Sequence, residues 1–202
     1  MLNVPLTSKP VVYLPADTLQ VGDALLFEHR IHQSVVVRGI RLVTGSKFVH
    51  VGTVEDPLCS MLPTAPPDPV VMEQLITRTF ERVALYLGAP AGTVVHALRP
   101  KFPIEPLDMT LLERSVYGYL GIADCLLNHG IGLIPGLHWR HRAMLGLLTP
   151  NHIVCSALAA KRYRLDLHTD WAPDYRVVEP DQFYNHSESF DYLGRVSFPS
   201  LP

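Results

Sequence analysis

Residues 42–56 read LVTGSKFVHVGTVED and residues 152–163 read HIVCSALAAKRY, and the reading of these two stretches decides the fold. In the first, β-branched and aromatic residues alternate on both sides of His50, which predicts a strand over residues 47–55. In the second, Cys155 opens a run to Leu165 that is rich in helix formers, and the preceding Thr149-Pro150-Asn151 makes a chain turn into a helix. The small residues behind the cysteine let such a helix pack closely on a sheet.

Working outward, ALLFEH (residues 24–29) reads as a strand before the histidine strand. PVVMEQLI (69–76), RVALYL (82–87) and TVVHAL (93–98) read as strands after it. Short strands separated by turn residues predict one antiparallel sheet. The second half changes character. Residues 109–127 carry apolar positions at helical spacing, a Gly- and Pro-interrupted stretch follows, and the Cys155 helix comes next. RVVEPDQF (176–183) reads as a strand end running into a proline-started turn, and YLGRVSF (192–198) as a last edge strand. The expected architecture is α+β, an antiparallel sheet first and a cysteine-bearing helix packed against it. The chain reads as one domain over residues 1–202, with the Pro-rich run 56–69 (DPLCSMLPTAPPDP) as a surface loop.

Composition narrows the function classes. With 202 residues, 48% hydrophobic and only 18% charged, the chain is able to bury one core and is neither disordered nor fibrous. A net charge of −2 without a basic stripe gives no reason to expect nucleic acid. Clusters such as Lys161-Arg162 read as a solvated face. Three widely spaced cysteines, Cys59, Cys125 and Cys155, form no disulfide framework and suit a reducing compartment. MLNVPLTSKP lacks the unbroken apolar core of a secretory signal, so no signal peptide is expected. Residues 125–139 are too short and too broken to span a bilayer, so no transmembrane segment is expected. The expected location is cytoplasmic, or carried in a phage or secreted assembly.

The chemistry centres on Cys155. A cysteine nucleophile acts as its thiolate, and the unpaired N–H groups of a helix start lower a thiol pKa. The plainer reading of Cys155 is a buried structural cysteine, and that of His50 an ordinary strand histidine.

The order of segments adds a resemblance. LQVGDALLFEH (19–29), then the histidine stretch, PVVMEQL (69–75), YGYLGIADCLL (117–127), CSALAAKRY (155–163) and VVEPDQF (177–183) together resemble the permuted NlpC-type family of papain-like cysteine peptidases and amidases. That family includes the YiiX-like proteins and is related to the lecithin retinol acyltransferase-like enzymes. The resemblance runs from about residue 19 to about residue 183. It implies a circularly permuted papain-like fold, with Cys155 as nucleophile and His50 as its base. A third polar member, Glu73 in PVVMEQL, would orient the imidazole. His96 is the runner-up for that role, because the acyltransferase branch uses a second histidine. Glu55 is a weaker choice that reads as solvent-facing. Tyr117 and Tyr119 match an aromatic pair of the family, as wall or packing.

The implied reaction is hydrolysis of an amide through a thioester, with no cofactor and no metal. The leading substrate is a peptide, bacterial cell-wall peptidoglycan stem peptides first. Two alternatives stand beside it. One is a lipid acyl hydrolase or acyltransferase with an acyl-lipid substrate, for which the apolar stretch 118–137 would form a greasy wall. The other is a non-catalytic structural component of a phage particle or secretion assembly. His138 with His141, and Cys125 with His129, have ligand-pair spacing but make no set of four, and an amphipathic surface is the plainer reading. The glycines from Gly118 to Gly136 make no phosphate loop.

Overall fold

A computed structural model describes residues 12–28, 45–56, 70–74, 78–82, 94–105, 116–117, 152–153, 155–175 and 178–197. At 56, 70–74, 78–82, 116–117 and 152–153 it describes the backbone alone. The fold is α+β. Its main sheet has seven strands: β1 (Tyr13–Pro15), β2 (Ala24–Glu28), β3 (His50–Asp56), β4 (Val70–Gln74), β5 (Arg78–Arg82), β6 (Val94–Pro100) and β9 (Phe190–Ser197), in the order β1-β9-β6-β2-β3-β4-β5. A second, two-stranded sheet joins β7 (Val116–Tyr117) to β8 (His152–Ile153) in parallel. The described helices are α1 (Cys155–Arg162), α2 (Leu165–His168) and α3 (Pro180–Asn185), with a 3-10 turn at Ala16–Thr18.

Strand β2 is buried from Ala24 to Phe27 because it sits mid-sheet and is covered on both faces. Side-chain alternation then divides the core. Leu26, Val51 and Leu98 join the core formed with Ala159, Ala160, Tyr163, Phe183 and Phe190 on the α1 side. Leu25, Phe27, Val95, Ala97 and Val196 pack with Ala16 and Leu19 in the second core. At the mouth of β2, Asp23 is buried. It is held by Arg99 of β6 in two contacts of 2.8 Å and accepts the Gln20 N–H at 2.8 Å.

Helix α1 presents Ser156, Ala157, Leu158, Ala159 and Ala160 as buried residues and packs on β3 and β4. Its last residue, Arg162, makes a buried pair with Glu55 of β3, Nε to Oε1 at 2.9 Å and Nη2 to Oε2 at 3.2 Å. The Thr53 hydroxyl donates to Glu55 Oε1 at 2.9 Å, and Arg162 Nη1 donates to the Glu105 carbonyl at 2.9 Å. Removing one partner from such a pair leaves a buried charge alone, at a cost of about 3–5 kcal/mol. One residue on, the Tyr163 hydroxyl donates to the Gly22 carbonyl at 3.0 Å.

Several expectations need correction. The sheet is not wholly antiparallel, because β1 pairs with β9 in parallel. Strand β9 is not an edge strand but lies between β1 and β6, since the three-residue β1 covers its outer side. Residues 180–185 form a helix rather than a turn: Pro180 opens it, and Glu179 and Gln182 close a capping box in which the Glu179 N–H donates to Gln182 Oε1 at 2.8 Å. Val116 and Tyr117, expected in a helix, pair as a strand with residues 152–153, in keeping with their β-branched and aromatic side chains. The rest of 109–127 lies outside the described residues, as does the 57–69 loop. A strand not expected from the sequence runs over Arg78–Arg82, where pairing with β4 outweighs the polar composition of RTFER; of the strand expected at 82–87, all but Arg82 lies outside the described residues. Arg162 and Glu55, expected to face solvent, face each other in the interior.

Gly194 has φ +144°, and a Cβ there would stand 2.6 Å from the Val12 carbonyl oxygen, the atom that accepts the Arg195 N–H at 2.7 Å. Backbone cannot retreat from that contact without breaking the hydrogen bond. Gly194→Ala is therefore expected to lower stability by about 2 kcal/mol or more, read as a shift in urea midpoint without change of slope.

Candidate active site

The segment leading into β3 is shaped before the strand begins. Gly45 takes φ +67°, a left-handed conformation suited to glycine. The Ser46 hydroxyl then bridges its neighbour, donating to the Phe48 carbonyl at 3.0 Å and accepting the Phe48 N–H at 3.1 Å. This local turn, built on Gly45 and Ser46, fixes how the chain enters the strand. His50 follows as the first residue of β3, opposite Phe27 of β2, with the two rings 5.2 Å apart between centroids.

Cys155 is the first residue of α1 and is partly buried. The structure brings it to His50, whose side chain hydrogen-bonds the sulfur, and the backbones of Val51 and Ser156 also hydrogen-bond to it. Burial pushes the thiol pKa up. The charge of the His50 ring, its hydrogen bond and the two backbone groups together outweigh burial, so the thiol lies below the ordinary cysteine value. Such a thiol ionises more readily than an ordinary one and has a proton-accepting ring in contact, the arrangement a thiol nucleophile needs.

The candidates for a third member fall in different places. Glu73 lies on β4, the strand beside β3. It follows Met72, the partner of Thr53, and pairs with Thr79 of β5. Its side chain lies outside the described residues. His96 lies on β6, an interior strand across β2 from the His50 strand. The His96 ring is buried with both nitrogens engaged, Nδ1 with the Tyr192 hydroxyl at 3.1 Å and Nε2 with Glu28 Oε2 at 3.1 Å. It therefore cross-links β2, β6 and β9 rather than holding the His50 ring. Glu55 is committed to Arg162 and Thr53.

The sequence reading missed the role of Phe48, whose ring packs edge-on to His96 at 5.1 Å and against Tyr184 at 5.3 Å. Lys47 Nζ lies 4.7 Å from the Phe48 ring and 4.8 Å from that of Tyr184. The alternation of KFVH carried the signal for Phe48, but its partners come from 48 and 136 residues further along the chain. Among the described residues no three His, Cys, Asp or Glu side chains group as metal ligands, and no helix is long and apolar enough to cross a membrane. Cys125, His129, His138, His141, Tyr119, Cys59 and the glycines between 118 and 136 lie outside the described residues.

No family model and no curated protein matches the chain. Among solved structures it is similar to the crystal structure of the metalloprotein yiiX from Escherichia coli O157:H7, DUF1105. The match has 14% identity and a TM-score of 0.39, and it covers 89% of each chain. A likeness at that level carries nothing about activity, and the chemistry rests on the geometry of His50 and Cys155.

Burial lowers the His96 pKa, with Lys47 and Arg195 adding to the effect and Glu28 opposing it. A histidine with a lowered folded-state pKa takes up its proton more readily when unfolded. Its neutral form thus supports the fold fully above about pH 6.5, and that support is lost as pH falls below this value toward the folded pKa. Two outcomes are expected. The wild type loses stability on acidification from pH 7 to 5. His96→Phe costs about 1–3 kcal/mol at pH 7, because Glu28 and Tyr192 lose their partner, and shows a weaker acid dependence over the same range. Urea unfolding at several pH values measures both.

Proposed function

We propose that this protein is a cysteine-dependent hydrolase with a circularly permuted papain-like, NlpC-type fold, acting on an amide bond through a thioester at Cys155. The single observation that carries the reading is the hydrogen bond between the His50 side chain and the Cys155 sulfur at the start of α1. A structural cysteine gains nothing from a histidine in contact, whereas a nucleophile needs one.

In the proposed cycle the Cys155 thiolate attacks the carbonyl carbon. The backbone N–H of Cys155 supplies part of the hole for the resulting oxyanion, a contribution worth a few kcal/mol in such enzymes. The imidazolium of His50 gives its proton to the leaving amine as the C–N bond breaks, leaving a thioester. Neutral His50 then takes a proton from water, the hydroxide oxygen adds to the thioester, and the carboxylic acid departs as the thiol is restored. Glu73 is the proposed group that orients the His50 ring. The proposed substrate class is a peptide, with peptidoglycan stem peptides the first to assay.

Brief iodoacetamide labelling at neutral pH followed by peptide mapping is expected to find Cys155 modified well ahead of Cys59 and Cys125. His50→Ala is expected to keep the circular dichroism of the wild type while the labelling midpoint of Cys155 rises toward that of an ordinary thiol. Equal labelling of the three cysteines, or a midpoint unmoved by His50→Ala, refutes the pairing. Once a substrate is in hand, steady-state kinetics separate the candidates for the orienting group. Glu73→Gln is expected to lower kcat about tenfold or more with little change in KM, since a group that steadies the imidazolium acts mainly in the transition state. His96→Ala is expected to be mild at a temperature where it stays folded. The reverse pattern would transfer the orienting role to His96.

A further inference from the structure

Helix α1 has a weakly specified position along the sheet if the side chains of its buried first turns are considered alone. The successive positions from Ser156 to Ala160, which run right round the helix, are a serine, three alanines and a single large residue, Leu158, all buried. Small side chains allow close approach but interdigitate little, so they resist sliding poorly. Sliding matters here. Each residue of slip along a helix turns the face by about 100° and moves it about 1.5 Å, enough to carry the Cys155 sulfur off the His50 ring.

The directional contacts sit at the other end of the same two elements. Arg162 lies seven residues after Cys155 on α1, and Glu55 five residues after His50 on β3, so the two elements are tied at both ends. The tie at the far end is forked, with two N–H groups of one guanidinium on the two oxygens of one carboxylate. The remaining groups are engaged as well: Thr53 donates to Glu55 Oε1, and Arg162 Nη1 donates to the Glu105 carbonyl. Side-chain exposures of 4% and 9% leave water little share in the pair, so it holds only where the fork and the carboxylate face each other. Tyr163, bonded to Gly22, adds a tie at the same end.

We propose that the Glu55–Arg162 pair is a positioning device that sets the register of α1 along β3 and thereby holds the Cys155 sulfur on the His50 imidazole. The inference rests on the Cys155–His50 pairing proposed above and adds two positioning residues to it. Neither residue touches the reacting atoms.

The test replaces the pair without leaving a buried charge, in the full chain. Thr53→Val, Glu55→Leu and Arg162→Met are combined, an apolar substitution of a kind that buried ion pairs commonly tolerate. Arg162→Lys is made separately, keeping the charge and losing the fork. Iodoacetamide labelling of Cys155 is followed against pH, with unfolding curves to show that each variant is folded. The triple variant is expected to fold with its labelling midpoint raised by about one to two pH units and its rate at pH 7 down by about tenfold, and Arg162→Lys to fall between it and the wild type. A folded triple variant with the wild-type profile overturns the proposal, because a merely structural pair would leave the thiol untouched. Should the triple variant not fold, Arg162→Lys decides by the same reading, an unmoved midpoint overturning the proposal. His50→Ala measured alongside separates the two levels. A profile unchanged there overturns the Cys155–His50 pairing itself, whereas a shift there with none in the Glu55–Arg162 variants overturns the positioning role alone.

Discussion

Glu55 and Arg162 stand 107 residues apart and meet in the interior, and the geometry around α1 depends on their meeting. A carboxylate and a guanidinium taken out of water lose several kcal/mol of hydration each, which only close and well-aligned contacts return. Two consequences follow from that demand. The helix is fixed by direction as well as by burial, and β3 and α1 are made to run together from the His50 end to the Glu55 end. Thr53 and the Glu105 carbonyl complete the arrangement by taking up hydrogen bonds that would otherwise be left unmade.

A second polar system acts on the same face of the sheet two strands away. His96 joins Glu28 of β2 to Tyr192 of β9, and Phe48 lies against the His96 ring. The strand that carries His50 therefore has an ion pair at one end and, just ahead of the other, an aromatic residue packed on a hydrogen-bonded histidine. Between them, Val51 and Val54 are fully buried on opposite faces. Little of β3 is free to adjust, which is the condition for holding a ring against a sulfur at hydrogen-bond distance.

What was legible in the sequence is what local pattern encodes. The apolar runs ALLFE and VVHAL, the alternation in FVHVGTVE and the small-residue run after Cys155 located β2, β6, β3 and α1, because period and propensity are set by near neighbours. The polar RTFER strand was not legible, since its place depends on pairing with β4, nor was β1, whose three residues are ordered by β9 from the far end of the chain. The α3 start was legible in principle: Glu179, Pro180 and Gln182 spell a capping box and a first-turn proline, but a glutamate in the capping position is an uncommon signal. For the site, Cys155 and His50 were singled out through the resemblance that their motifs carry, and the structure places the two side chains together. The burial of Glu55 could not, because a glutamate five residues beyond a histidine looks like any strand-end charge until Arg162 is known to lie opposite it.

The electrostatics at Cys155 show why register matters so much here. Burial is the largest single influence on the thiol and acts against ionisation. The opposing influences are each smaller: the His50 charge, the His50 hydrogen bond and the hydrogen bonds from the Val51 and Ser156 backbones. Together they outweigh burial, and each depends steeply on distance and angle. The Ser156 contact travels with the helix, but the Val51 and His50 contacts belong to the strand. Sliding one element past the other therefore weakens the His50 and Val51 contacts while leaving the thiol buried, which moves its pKa upward. A site built on this balance needs its helix anchored by something more directional than alanine packing, and Glu55 with Arg162 is the directional contact that spans the two elements.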